Sequence, residues 1–124
     1  MPRFDRSDPA LGPVVQGISD RGFSVDGGIY TALLLTPERA DGWTAPALDA
    51  LTIEDLAPLL GLDPTPEFLI LGTGTKHRFP PRSLVAALSA RGIGLESMDS
   101  RAAARTWGLL RSEQRWIAAA LMPF

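Results

Sequence analysis

Apolar and polar positions along the chain are most ordered between Phe68 and Leu110, where they read as strand, glycine loop, helix, strand, helix. Phe68-Leu69-Ile70-Leu71 has no polar residue, follows the turn-forming Asp63-Pro64-Thr65-Pro66 and stops at Gly72-Thr73-Gly74, the pattern of a strand buried on both faces of a sheet. A helix is predicted over Pro81 to Arg91. Pro81 suits a first helical position, Leu84, Val85 and Leu88 form an apolar stripe, and Gly92 supplies a left-handed stop. Ile93 to Met98 returns as a strand, and Ser100 to Leu110 is a second amphipathic helix with Asp99 or Ser100 as N-cap. Its buried face carries Ala103, Thr106, Trp107 and Leu110, and Arg101 and Arg105 lie on a solvated face. The intervening helix predicts that the two strands are parallel. Arg111 to Arg115 reads as a polar turn in which Glu113 and Arg115 form a local ion pair, and Trp116 to Leu121 as a strand inside the sheet.

The N-terminal part has a different texture. Residues 1–12 show no periodic pattern and are expected to be a flexible arm ahead of one domain over residues 13–124. Val14 to Asp20 and Gly22 to Val25 are expected to pair as strands, with Asp26-Gly27-Gly28 as a hairpin turn and Ile29 to Leu35 as the next strand. Ala40 to Ala50 reads as irregular, anchored by Trp43. Thr52-Ile53-Glu54-Asp55 resembles a helix start whose Thr hydroxyl caps backbone N–H groups, and Pro58 limits that helix to one or two turns. The expected fold is α/β: a mixed central sheet flanked by helices, joined to a small antiparallel unit.

Composition narrows the function classes. At 124 residues and 45% hydrophobic, the chain can bury a core without staples, and the absence of cysteine excludes disulfides and thiol chemistry. No apolar run approaches the ~20 residues of a membrane span, and the first residues lack the apolar stretch of a secretory signal, so a cytoplasmic protein without membrane insertion is expected. The net charge of −2 conceals a division: residues 1–71 hold four arginines against eleven acids, and residues 72–124 hold eight basic residues against three acids. Mutual neutralisation of the two halves is the simpler expectation. A negative chain with no base-stacking aromatic pattern beside its arginines also argues against nucleic acid as a partner.

Parallel strands over 68–71 and 93–98 would bring their carboxyl ends to one edge of the sheet, where open α/β sheets bind ligands. The candidate ligand-binding set is Gly72, Thr73, Gly74, Thr75, Lys76, Asp99 and Ser100, in a loop that also carries His77 and Arg78. Thr73 and Lys76 are expected to expose their side chains there. The glycines lack dinucleotide spacing and Lys76 lacks a P-loop setting, so close packing or a tight turn accounts for Gly72 and Gly74. His77 is the only histidine, and no metal site, cofactor or catalytic residue is assigned.

Taken in order, Phe68-Leu69-Ile70-Leu71-Gly72-Thr73-Gly74, Leu88 to Ile93, Glu96-Ser97-Met98-Asp99, Ala102 to Leu110, Glu113-Gln114-Arg115 and Ala118 to Leu121 resemble the Mth-like domain family over roughly residues 13–123. Family members include mitochondrial complex I assembly factor 3 and the adipogenesis-associated Mth-like protein. The resemblance implies a three-layer α/β domain and no established catalytic residues. It marks Gly72, Thr73, Gly74, the Thr106-Trp107 helix, Glu113 and Arg115, and Trp107-Gly108 stands where members commonly carry Tyr-Asn or Phe-Asn. Two functions stay open: a non-enzymatic accessory or assembly factor contacting proteins of a membrane complex, or a small-molecule anion-binding or enzymatic domain using the loop from Gly72 to Pro80.

Overall fold

The computed structural model describes residues 12–124. The chain runs through β1 (Gly17–Ser19), β2 (Gly22–Val25), β3 (Gly28–Tyr30), β4 (Leu33–Leu35), β5 (Ala40–Gly42), α1 (Ala57–Leu60), β6 (Phe68–Gly72), α2 (Arg82–Ser89), β7 (Gly94–Met98), α3 (Ser100–Ser112) and β8 (Ala118–Leu121). Short 3-10 turns at Leu48–Ala50 and Ile53–Leu56 precede α1. The first three strands form an antiparallel sheet, and the other five form a mixed sheet ordered β5-β4-β8-β6-β7. As the sequence predicts, β6 and β7 are parallel, and β8 lies inside the sheet, parallel to β6 and antiparallel to β4.

Successive side chains of a strand face opposite sides of a sheet, so strands that are apolar throughout feed two cores. Leu34, Leu69, Leu71, Ala118 and Ala120 pack on one side with Leu84 and Leu88 of α2 and with Leu56 and Leu59. Leu33, Leu35, Ile70, Ala119 and Leu121 pack on the other with Ala103, Ala104 and Trp107 of α3 and with Phe23 and Val25 of β2. The molecule is therefore a three-layer α/β fold whose second outer layer combines a helix with the small antiparallel sheet. Trp107 is fully buried, and its indole N–H donates to the Pro13 carbonyl at 2.9 Å, fastening the N-terminal segment to this core.

Local departures have local causes. The apolar run over residues 29–35 is divided at Thr31-Ala32, because β3 pairs with β2 while β4 pairs with β5 and β8 in the other sheet. A run of apolar residues does not reveal where its hydrogen-bonding partner changes. The irregular stretch from Ala40 contains β5, an edge strand with neighbours on one side only. At Thr52 the backbone N–H and the hydroxyl both donate to the Asp55 carboxylate, at 2.8 and 3.0 Å. The hairpin turn stands, with positive φ at Asp26 and Gly27. The α3 helix continues to Ser112, which makes Arg111 a buried helical residue rather than part of a polar turn. Apart from Gly12, which packs against Pro37, the expected arm over residues 1–12 lies outside the described residues.

Candidate functional site

Because β6, β7 and β8 run parallel, their carboxyl ends share one edge of the sheet. The connection leaving β6 enters α2 on one face, and the connection leaving β7 enters α3 on the other. Such divergence opens a crevice in doubly wound sheets. The predicted convergence of the 72–80 loop with Asp99-Ser100 is present. It is held by hydrogen bonds from Ser100 N–H to the Gly74 carbonyl at 2.8 Å and from Gly74 N–H to Ser100 Oγ at 2.9 Å.

The hydroxyls of Ser100 and Thr73, where the two connections converge, are occupied by backbone. Ser100 Oγ, fully buried, also donates to the Met122 carbonyl at 2.8 Å, which joins the loop after β6, the start of α3 and the end of β8 at one atom. Thr73 Oγ1 accepts from Arg78 N–H at 3.1 Å and lies within donating distance of the Lys76 carbonyl at 2.9 Å and the Met98 carbonyl at 3.2 Å. Thr73 is buried, contrary to expectation, because its hydroxyl closes the loop on itself. Asp99 is the N-cap, its Oδ1 accepting from Ala102 N–H at 2.9 Å. Gly72 permits close approach: a Cβ there would lie 2.8 Å from Ser100 Oγ and 3.0 Å from both Ser100 Cα and Leu121 Cδ2. Gly74 has φ +101, a conformation that favours glycine.

Thr75, Lys76, His77, Arg78 and Phe79 point outward from this frame. His77 Nε2 lies 3.0 Å from Ser97 Oγ, a pairing the sequence does not signal because 20 residues separate the two. Among the described residues no cluster of His, Cys, Asp or Glu could hold a metal ion. At the opposite edge, Arg115 pairs with Glu67 at 3.1 Å rather than with Glu113. The hydrogen bond from Arg115 holds the Glu67 carboxyl below its ordinary range, helped by the Trp116 N–H, and Glu67 raises Arg115 in turn. Burial lowers the Arg111 guanidinium from its usual value, and this group donates to the Arg115 carbonyl.

A family model described as a protein of unknown function, DUF498/DUF598, matches residues 15–122. The chain belongs to the DUF498/DUF598 family. This DUF498/DUF598 chain is 30% identical over 119 residues to NADH dehydrogenase [ubiquinone] 1 alpha subcomplex assembly factor 3 of Danio rerio, covering 95% of itself and 68% of that protein. It is 32% identical over 110 residues to an uncharacterized protein of Rhodobacter capsulatus, covering 88% of itself and 83% of that protein. The bovine assembly factor is 29% identical and is covered to 65%, so the chain spans about two thirds of the length of these assembly-factor relatives. Among solved structures, a crystal structure of a Bordetella parapertussis protein is similar with TM-score 0.81 and 32% identity, over 90% of this chain and 96% of that one. A solution structure from Bordetella pertussis, titled a Mth938-like domain, is similar with TM-score 0.79 and 27% identity, over 99% and 92%. The Mth-like resemblance read from the sequence is thus shown. Among the described residues no helix is long and apolar enough to cross a membrane.

Proposed function

We propose that this DUF498/DUF598 chain is a cytoplasmic, non-enzymatic accessory protein that assists assembly of a multi-subunit membrane complex by contacting its protein subunits. The observation that carries this reading is the 30% identity over 119 residues to a protein named as an NADH dehydrogenase assembly factor. The geometry supports it. Gly72, Thr73, Gly74 and Ser100 are spent on backbone packing and backbone hydrogen bonds, which suits a rigid scaffold better than a reacting centre. The test is removal of the protein from its native cell, followed by native-gel quantification of membrane-bound NADH dehydrogenase. The assembled complex should fall and recover on re-expression; an unchanged amount overturns the reading.

A second reading, binding of a small anion by the same loop, draws on the exposed Lys76 and Arg78 beside Thr75. Calorimetric titration with phosphate, nucleotides and dicarboxylates at low salt separates the two, because surface electrostatic binding is least screened there. Lys76→Ala and Thr75→Ala are the suitable variants, since the Thr73 hydroxyl is structural. Micromolar binding lost in either variant would favour the anion site over the scaffold.

A further inference from the structure

The sheet edge that gathers the carboxyl ends of β6, β7 and β8 carries a distinctive surface. Residues 73–82 bring Lys76, Arg78 and Arg82 to it, the first turn of α3 brings Arg101, and all four are exposed. No Asp or Glu occurs between Phe68 and Leu95, and Asp99, the acid in the neighbouring connection, is engaged as the cap of α3. From the same loop Phe79 projects with 85% of its surface exposed. Its ring is held edge-on to His77 at 5.0 Å, and His77 is fixed in turn by Ser97. Phe124, exposed although its ring packs on Phe23, lies beneath the Arg101 guanidinium at 5.3 Å.

We propose that this edge docks the protein on the surface of an anionic phospholipid bilayer, with Phe79 entering the headgroup–acyl boundary and the four cations meeting lipid phosphates. Charge complementarity selects an anionic surface, because the edge is basic although the chain as a whole carries −2. The apolar content selects lipid over protein. A stable protein interface covers about 800 Å² per partner around packed anchors, whereas a fluid bilayer accepts one projecting ring flanked by cations. Binding of this kind is reversible, since one inserted side chain with a basic rim falls far short of a spanning helix. The inference does not rest on the assembly reading, and its test does not involve NADH dehydrogenase.

The experiment is co-sedimentation of the full chain with vesicles of phosphatidylcholine alone or mixed with about one third phosphatidylglycerol, an anionic lipid. Wild type should partition onto the anionic vesicles at low salt, weaken as salt rises, and ignore phosphatidylcholine. Phe79→Ala should lower the partition coefficient on the order of tenfold, from loss of a buried aromatic group. Lys76→Gln with Arg78→Gln should lower it roughly 25-fold, at about fivefold per charge near the surface. Arg91→Gln removes one charge just beyond the far end of α2 and should have a smaller effect than Lys76→Gln or Arg78→Gln alone. An unchanged urea midpoint in each variant confirms that the fold is intact. Failure of wild type to sediment with anionic vesicles at low salt, equal partition onto both lipids, or indifference to Phe79→Ala each overturns the proposal.

Discussion

Ser100 is the residue on which most of the carboxyl-edge geometry depends. Its hydroxyl is shared between the Gly74 N–H and the Met122 carbonyl, with no solvent to replace it. Ser100→Ala strands both groups and should cost about 1–3 kcal/mol, read as a lower urea midpoint with an unchanged slope. Trp107 invites a paired substitution. Trp107→Ala removes a fully buried side chain and should cost about 3–5 kcal/mol. Trp107→Phe keeps most of the volume but loses the hydrogen bond to Pro13, so it should cost less and should expose the segment around Pro13 to proteolysis first. Glu67 gives a pH-dependent case. Its carboxyl is lowered in the folded state, chiefly by Arg115, so its contribution is present above the ordinary carboxylate pKa and fades as pH falls through the folded value. The stability difference between wild type and Glu67→Gln should therefore narrow in acid and also shrink at high salt, because the pair is exposed.

At the scale of elements, α3 contains one position where improvement is expected. Gly108 lies mid-helix, and a Cβ there would meet nothing within 4 Å. Gly108→Ala should raise stability by about 0.5–1 kcal/mol through restricted unfolded-chain freedom, measurable as a higher urea midpoint. The elements legible from sequence were those whose signals are local. From β6 to α3, apolar pattern and glycine or proline punctuation agreed, and the parallel pairing followed from the length of the crossover. What escaped depended on partners distant in the chain. The β3–β4 division reflects a change of sheet, and Arg115 met Glu67, 48 residues away, instead of the nearby Glu113. The same limit applied at the candidate site. Convergence of the 72–80 loop with Asp99-Ser100 followed from topology, but the burial of Thr73 did not, because a threonine that faces solvent and one that closes a loop look alike in sequence.

Across the whole molecule, the charge division visible in the sequence becomes spatial. Arg39–Asp41 pairs within the acidic part of the chain, and Arg115–Glu67 joins the acidic and basic parts. Lys76, Arg78, Arg82 and Arg101 collect, exposed, at the carboxyl edge. The position of β8 carries another consequence. It is the last strand in chain order, yet it alone bridges β4 to β6. During synthesis on a ribosome, β6, α2 and β7 can associate as they emerge, but the β4–β5 ribbon has no seat beside them until Ala118 to Leu121 has cleared the exit tunnel. Completion of the five-stranded sheet therefore waits on β8, and until then a nascent chain presents two unsatisfied strand edges, on β4 and β6, to whatever chaperone attends it.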